Sequence, residues 1–254
     1  MKTKDTVLLC EKVTVSFDGF LALREMDFSL NKGELRFLIG PNGAGKTTLL
    51  DVICGKVKPK LGSVQLHQQD NATDLTRLKE HVIVSLGIAR KFQAPSVFTN
   101  LTVAHNMEIA LKQKREVFAV MFAKMNSEES GRIEAMLEMV GLAGKEQMLA
   151  GSLSHGEKQW LEIGMILLQE PDVLLLDEPV AGMTDEETEK TGQLLLQVRK
   201  NRSIVVVEHD MDFVRNFSSI VTVMHEGTLL TEGTMEEVQS NEKVAEVYLG
   251  KIAG

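Results

Sequence analysis

The sequence predicts an α/β fold in which a core built on a parallel sheet is interrupted by a helical insert. Three observations favour this fold: short apolar runs alternate with helical patterns, one apolar strand runs directly into a glycine-rich loop, and residues 97–169 have a helical texture. Strands that are apolar throughout are typical of sheets covered on both faces. The sequence contains no internal repeat and no low-complexity linker.

The first third of the chain is predicted to consist mainly of strands. The expected elements are, in order, strands at residues 7–17 and 21–30, a turn at residues 31–33, a buried strand at residues 36–39, a helix from about Lys46, a strand at residues 62–67, a helix between residues 74 and 86, and a strand at residues 88–92.

In the rest of the chain the predicted secondary structure changes twice. Within the helical stretch, Ile133, Met136, Leu137 and Val140 are spaced so that they form one apolar stripe. After Pro171 short apolar strands return, and they are expected at residues 173–176, 204–207 and 220–224.

Composition excludes several classes of protein. The chain has 254 residues, of which 43% are apolar and 25% charged, so a mostly disordered protein is excluded. A count of 28 Lys+Arg against 36 Asp+Glu gives a net charge of −8, which argues against broad nucleic-acid binding. Two cysteines, Cys10 and Cys54, are too few for a disulfide framework or a zinc knuckle, and both are predicted to be buried.

The distribution of apolar residues argues against a secretory signal and against a membrane span. The N-terminus has only a four-residue apolar run, at residues 7–10, and no stretch approaches the roughly 20 apolar residues that a membrane helix needs. The chain is therefore expected in the cytoplasm unless a partner holds it at a membrane.

A glycine-rich loop lies between the strand at residues 36–39 and the following helix. It fits the P-loop pattern G-x-x-x-x-G-K-[ST] and comprises Gly40, Pro41, Asn42, Gly43, Ala44, Gly45, Lys46, Thr47 and Thr48. Backbone N–H groups in such a loop converge on phosphate oxygens, and the helix N-terminus adds a partial positive charge. Lys46 is then predicted to reach the β- and γ-phosphates, and Thr47 to bind Mg²⁺. The alternative is a chance match in a glycine-bearing turn.

An acidic pair follows the apolar strand at residues 173–176. Asp177 leaves the carboxyl end of that strand, where α/β sheets bind ligands, and is predicted to hold Mg²⁺. Glu178 is predicted to polarise a water for attack on the γ-phosphate. Carboxylates are also common at solvated strand ends, but the two motifs together predict a P-loop nucleotidase.

A third motif extends the prediction to a family. Residues 153–159, Leu-Ser-His-Gly-Glu-Lys-Gln, are similar to the LSGGQ signature of ABC-type ATP-binding subunits, and the chain resembles that family over nearly its whole length. The resemblance implies a single ABC nucleotide-binding domain over residues 1–254. Its P-loop NTPase core, with an antiparallel β-region, would cover about residues 1–96 and 170–254, and a helical subdomain about residues 97–169.

The resemblance also implies roles for single residues. Gln93 resembles the glutamine that contacts Mg²⁺, His209 the histidine that contacts the γ-phosphate, and Phe17 an aromatic ring stacked on adenine. The signature residues expected to bind nucleotide are Ser154, Gly156 and Glu157. The expected catalytic residues are Glu178, His209 and Lys46. The expected cofactors are ATP and Mg²⁺.

Several of these residues have a second interpretation. Phe17 ends an apolar alternation and could belong to the core, and the ring of His209 must face either the core or the ligand. His155 replaces the first glycine of the signature pair, so its ring either adds a pH-dependent contact near the γ-phosphate or points aside. Thr184 stands where many relatives have an aspartate, and with Glu187 it predicts a capping box.

Partners are expected on chemical grounds and from the resemblance. The transition state of phosphoryl transfer spreads charge over the equatorial oxygens, so donors are needed on both sides of the triphosphate. The resemblance implies that the signature serves the nucleotide of a second ATP-binding subunit, identical or related. It also implies transmembrane permease subunits and, indirectly, a periplasmic or extracellular solute-binding protein, with the chain peripheral on the inner face of the cell membrane. No nucleic-acid partner is expected.

The transported solute is expected from kinship alone. Residues 87–93 and 246–250 resemble ATP-binding subunits of branched-chain amino acid importers, whereas residues 154–165 and 177–185 look closer to urea importers. Urea is therefore the expected solute, with branched-chain amino acids as the alternative. Residues 112–125 either dock to a permease or pack within the helical subdomain.

Two other classes of protein are weighed against a transporter subunit. One is a soluble ABC ATPase of translation or DNA repair, and the other is a regulatory protein that binds ATP without turnover. The presence of both Glu178 and His209 argues against the second class.

Overall fold

The computed structural model describes residues 5–68, 71–91, 97–112 and 127–249, and the chain divides into two units. The first unit takes in the described parts of Met1–Arg90, Asp172–Glu178 and Leu195–Gly254. The second takes in those of Lys91–Pro171 and Pro179–Leu194.

The first unit contains almost all of the β-structure. Within the described ranges the strands are β1 Thr6–Phe17, β2 Phe20–Asn31, β3 Leu35–Ile39, β4 Leu61–Gln68, β5 Asn71–Asp74, β6 Ile88–Lys91, β7 Val173–Asp177, β8 Ser203–Val207, β9 Ile220–His225 and β10 Thr228–Gly233. The α-helices in the same ranges are α1 Lys46–Ile53, α2 Glu80–Ser85, α3 Val103–Lys112, α4 Ser127–Met139, α5 His155–Leu167, α6 Asp185–Val198, α7 Met211–Phe217, α8 Met235–Gln239 and α9 Glu242–Leu249.

A six-stranded sheet forms the centre of the first unit. Its order is β10-β9-β3-β8-β7-β6, and β9, β3, β8 and β7 are parallel neighbours. Every residue of β3, β7 and β8 is buried, because these strands are covered on both faces. The predicted α/β fold with a parallel core is therefore confirmed.

A four-stranded antiparallel sheet, in the order β2-β1-β4-β5, completes the first unit. Buried and more exposed residues alternate along β1, since one face of the strand packs on the core. The alternation breaks where the pairing with β2 shifts between Cys10 and Val13, and Lys12 there has a φ of 48°. Such a β-bulge bends the strand locally.

The second unit is mainly helical in its described part. On α4 and just beyond it, three members of the predicted apolar stripe, Ile133, Leu137 and Val140, are buried, and the fourth, Met136, is half-buried. Helix α5 packs against α6, where Trp160 Nε1 donates to Thr191 Oγ1 at 2.9 Å. Within the described ranges, every helix is too short or too polar to cross a bilayer.

The prediction of a helix between residues 74 and 86 is wrong in its first half. Asp74 instead ends β5, and its side chain accepts hydrogen bonds from Thr76 N at 2.9 Å and Thr76 Oγ1 at 2.6 Å. In this local turn the side chain of Asp74 takes the place of the carbonyl acceptor that a helix would provide. Helix α2 therefore begins only at Glu80. The helical period of residues 74–86 in the sequence therefore covers two structures, a turn at its start and the short helix α2 near its end.

Some predictions lie outside the described residues. They are the Mg²⁺ contact of Gln93, the end of the strand predicted at residues 88–92, and nearly all of the segment at residues 112–125.

Candidate nucleotide-binding site

The P-loop joins β3 to α1 as predicted. Gly40 has a φ of +149° and Gly45 one of +98°, both outside the range that other residues adopt readily. A Cβ on Gly40 would overlap the carbonyl oxygen of Met224, and one on Gly45 would lie 2.7 Å from Ala22 O. Both positions need glycine because neighbouring backbone approaches so closely, whereas a Cβ on Gly43 would meet open space.

Lys46 lies folded over its own loop. Its side chain is buried, and Nζ donates to Gly40 O at 2.7 Å and to Pro41 O at 3.0 Å. Gly45 caps α1 without a side-chain acceptor, and the first turn of this eight-residue helix carries no acidic residue. The first amides of α1 can therefore donate to phosphate oxygens, and the lysine cation lies at the same loop. Thr47, also in that turn, is exposed.

Asp177 ends β7 with its carboxylate buried. Oδ2 accepts a hydrogen bond from Arg90 Nη2 at 3.1 Å, and Oδ1 is buried with no hydrogen-bond partner among the described residues. Burial raises the pKa of Asp177 above its ordinary value, although the cation of Arg90 acts in the opposite direction. A buried oxygen without a donor suits a metal ion, so Asp177 fits the predicted Mg²⁺ role.

Asp177 is not part of a larger cluster of acidic, histidine or cysteine ligands among the described residues. The described part of the chain contains no group of three or more His, Cys, Asp or Glu placed to hold a metal ion together. Mg²⁺ is commonly held by one or two protein groups together with substrate phosphates and water, and this donor set agrees with that pattern.

Glu178 and His209 are brought together by the tertiary structure. Glu178 follows β7 and His209 lies two residues beyond β8, the neighbouring strand, so the two side chains meet at one sheet edge. His209 Nε2 lies 3.0 Å from Glu178 Oε1, and the two side chains are 43% and 32% exposed. The ring of His209 therefore faces the site and not the core.

Phe17 lies at the end of β1 and is 47% exposed, so it does not belong to the core. It pairs across a tight turn with Phe20, which is 64% exposed. Two residues along β2 from Phe20, the carbonyl of Ala22 lies against Gly45 of the P-loop. The exposed ring is thus on the strand pair that adjoins the phosphate loop.

The signature segment lies in the second unit. Ser154 caps α5: its hydroxyl accepts from Glu157 N at 3.1 Å, and Glu157 Oε2 accepts from Ser154 N at 2.9 Å. Burial alone would raise the pKa of Glu157, but hydrogen bonds from Lys145 and Ser154 lower it below its ordinary value. These contacts fix the start of the helix.

Glu187 lies against the signature. Ser154 Oγ donates to Glu187 Oε1 at 3.2 Å, and a Cβ on Gly156 would overlap the same carboxylate. Glu187 also accepts from Thr184 N at 3.0 Å while its own N–H donates to Thr184 Oγ1 at 3.3 Å. The predicted capping box of Thr184 and Glu187 is confirmed, and its carboxylate has the additional contact with Ser154.

His155 contacts its own unit. Its Nε2 lies 3.0 Å from Ala181 O and 3.3 Å from Gln159 Nε2. In this arrangement the ring is directed at the segment that follows Glu178, which agrees with the interpretation that it points aside from the signature face.

Sequence reasoning missed two residues of the site, Arg90 and Asp51. Arg90 Nη1 donates to Asp51 Oδ1 at 2.6 Å while its other nitrogen holds Asp177. The signal in the sequence for Arg90 was a charged residue within a predicted strand. For Asp51, which the sequence places on the side of a helix expected to be exposed, the sequence contained no such signal.

Comparison with known proteins agrees with the fold. A family model for ABC transporters matches residues 23–181, and one for branched-chain amino acid ATP-binding cassette transporters matches residues 228–253. LivG of Salmonella typhimurium, a high-affinity branched-chain amino acid transport ATP-binding protein, is 34% identical, covering 96% of this chain and 98% of the relative. BraF of Pseudomonas aeruginosa, of the same description, is 31% identical at the same coverage.

Solved structures give the same result. The ADP conformation of MJ1267, an ATP-binding cassette of an ABC transporter, superposes with a TM-score of 0.83 at 29% identity, covering 96% of this chain and 99% of that one. The dimeric cassette MJ0796, in a post-hydrolysis state with ADP and Pi, superposes with a TM-score of 0.74 at 25% identity, covering 90% and 98%.

The fold and the site define a P-loop ATPase whose phosphate loop and acidic pair lie at one sheet edge. The chain belongs to the ABC transporter family of ATP-binding cassettes. As such a cassette it binds nucleotide and hydrolyses ATP to power transport.

Proposed function

We propose that the chain is the ATPase subunit of an importer for branched-chain amino acids. The observation that supports the catalytic part is the strand order β3-β8-β7: the P-loop, His209 and the pair Asp177-Glu178 follow three adjacent parallel strands. Carboxyl ends of neighbouring parallel strands share one edge, where α/β proteins bind ligands.

Each of these residues is proposed to contact a different part of ATP or the attacking water. Lys46 and the backbone of residues 40–45, through the N–H groups of every residue except Pro41, bind phosphate oxygens, and His209 holds the γ-phosphate. Glu178, 3.0 Å from His209, accepts a proton from the attacking water. Phe17 stacks on adenine.

Mg²⁺ belongs to the same proposal. Thr47, Gln93 and Asp177 would hold the ion, with Asp177 contributing the buried Oδ1 that lacks a donor among the described residues. When bound, Mg²⁺ neutralises charge on the phosphate oxygens during transfer.

Two chains are proposed to complete each site. Ser154, Gly156 and Glu157 would bind the nucleotide held by the P-loop of a second cassette, identical or related, and the dimeric MJ0796 structure supports such pairing. We further propose transmembrane permease subunits, an indirect solute-binding protein, and a position at the inner face of the cell membrane. The chain would form one cassette domain, with its helical subdomain at about residues 97–169.

The proposed solute follows the relatives. LivG and BraF are described as branched-chain amino acid transport proteins, and a second family model of that description matches the C-terminal residues 228–253. These comparisons give the urea expectation no support and favour its alternative. Uptake of labelled leucine and labelled urea by cells that produce either wild-type chain or Glu178→Gln tests the choice: we expect leucine uptake alone to fall, and loss of urea uptake alone would contradict the proposal.

The catalytic role of Glu178 has its own test. Glu178→Gln removes the base but keeps the side-chain shape, so it should bind ATP like wild type and lose about 10²-fold or more in turnover. The matched variant Lys46→Ala should instead weaken binding itself, because Lys46 contacts the phosphates. Steady-state ATPase rates and ATP titrations separate the two. Near wild-type turnover in Glu178→Gln would refute the base assignment.

A further inference from the structure

One arginine connects three elements of the nucleotide site. Arg90 lies in β6 and donates from Nη1 to Asp51 Oδ1 at 2.6 Å and from Nη2 to Asp177 Oδ2 at 3.1 Å. Asp51 is on α1, the helix that begins in the P-loop, and Asp177 ends β7. Arg90 therefore connects its own strand, β6, to the helix that follows the phosphate loop and to the acidic end of β7.

The contact between Arg90 and Asp177 is almost completely buried. The two side chains are only 4% and 2% exposed, and Asp51 is 16% exposed. A buried carboxylate is unfavourable unless a cation and hydrogen bonds compensate it, and the planar guanidinium can serve two carboxylates at once. Lysine has a compact ammonium and would not reproduce this fork.

The two oxygens of Asp177 are in different situations. Oδ2 is held by Arg90, whereas Oδ1 is buried and has no hydrogen-bond partner among the described residues. A carboxylate fixed through one oxygen cannot turn freely about its Cβ–Cγ bond, so the other oxygen keeps one direction. Outer partners of this kind orient the ligands of metal ions.

We propose that Arg90 is a positioning residue for Mg²⁺, which holds Asp177 Oδ2 from its anchor on Asp51 and so presents Asp177 Oδ1 to the metal. This role rests on the proposed function, because that function includes the binding of Mg²⁺ with nucleotide. Arg90 itself touches neither the metal nor the phosphates in this assignment.

Mn²⁺ is the probe for this role. Its binding to the full chain with a non-hydrolysable ATP analogue is measured by electron paramagnetic resonance, and analogue affinity is measured separately in EDTA. Arg90→Met should weaken Mn²⁺ binding by about 10- to 100-fold, the range found for outer partners of metal ligands. Arg90→Lys should fall between Arg90→Met and wild type, and analogue affinity in EDTA should be unchanged in both variants.

A second buried arginine gives the matched control. Arg36 lies in the same unit and contacts Glu34, Thr222 and Glu232, so Arg36→Met removes a buried cation outside the proposed site. It should bind Mn²⁺ as wild type does. If Arg90→Met does not fold, Arg90→Lys carries the test together with a second variant that weakens the anchor, Asp51→Asn.

The outcomes distinguish this role from the function on which it rests. Unchanged Mn²⁺ affinity in the folded Arg90 and Asp51 variants would overturn the positioning role and leave the proposed function standing. A loss of analogue affinity in EDTA as large as the loss of Mn²⁺ affinity would also overturn it, because such a loss indicates general disruption of the pocket. Wild-type chain that binds no analogue would instead contradict the proposed function.

Discussion

Glu178 has a backbone conformation that residues with a side chain seldom adopt. Its φ is +49°, and its N–H donates to Val207 O at 2.9 Å, which ties it to the neighbouring strand. The left-handed region costs such a residue roughly 1–2 kcal/mol. Here it turns the chain at the end of β7, so that Asp177 stays buried while the carboxylate of Glu178 reaches His209. One unusual dihedral thus gives two adjacent acids different environments.

The cysteines allow a prediction at the same scale. Burial raises the pKa of Cys10 to about 12, and burial also raises that of Cys54, whose Sγ donates to Leu50 O at 2.8 Å. Only the thiolate reacts with alkylating reagents. We expect no iodoacetamide adduct on either cysteine of the folded protein at neutral pH, and two adducts after unfolding in urea, as measured by intact mass. Rapid modification of native Cys10 would contradict this.

At the scale of elements, helix α5 begins with a hydroxyl that serves two partners. Ser154 Oγ accepts from Glu157 N and donates its single proton to Glu187 Oε1. To donate to a phosphate held by another cassette, as proposed, Ser154 must first release Glu187. The carboxylate also lies directly against Gly156, so it would have to move away from an approaching nucleotide.

The cap of α5 predicts a dependence of stability on pH. The pKa of Glu157 is lowered in the folded chain, so its contribution to stability is complete above the pKa it has when unfolded and is lost as pH falls through the folded pKa. Between about pH 5 and pH 3, wild type should therefore lose more stability than Glu157→Gln. Urea midpoints at several pH values measure this.

The control is another glutamate in the first turn of a helix. Glu128 of α4 is exposed, so Glu128→Gln removes a carboxylate without removing a helix cap, and its urea midpoint at neutral pH should stay close to that of wild type. Parallel profiles for Glu157→Gln and wild type would show that the contacts of Glu157 do not act as described.

At the scale of the whole molecule, the phosphate loop and the signature belong to different units. The P-loop, Asp177, Glu178 and His209 are in the first unit, and residues 153–159 are in the second. Each unit therefore carries only part of the groups proposed to bind nucleotide, placed at the ends of strands or helices. Pairing of two chains, as in the dimeric cassette similar to this one, would supply both sets to each nucleotide.

Pairing of two chains predicts the molecular mass of the protein in the presence of ATP. Glu178→Gln with ATP should elute as a dimer in size exclusion with light scattering, because bound ATP is retained between the chains. Glu178→Gln combined with Ser154→Arg should bind ATP and stay monomeric, since the bulky cation blocks the signature. A monomer for Glu178→Gln at saturating ATP would contradict the two-chain site.

Sequence patterns located most of the site because those signals are local. The P-loop follows β3 and Asp177 ends β7, as the spacing and the apolar runs predicted. The helix prediction was wrong in the first half of residues 74–86, where an Asx turn competes with the helix. Short motifs favoured urea, whereas the comparisons support the amino acid alternative better; residues near the nucleotide do not report on a solute that they do not touch.

The sequence by itself determined that the chain has a phosphate loop, an acidic pair after a buried strand and a signature-like segment at residues 153–159, because each depends on residues a few positions apart. Only the tertiary structure decided that β8 lies between β3 and β7, that His209 meets Glu178, and that Arg90 holds Asp177 from Asp51. These contacts join residues far apart in the chain, and their geometry is set by sheet order and burial. No local sequence pattern encodes the sheet order or the burial.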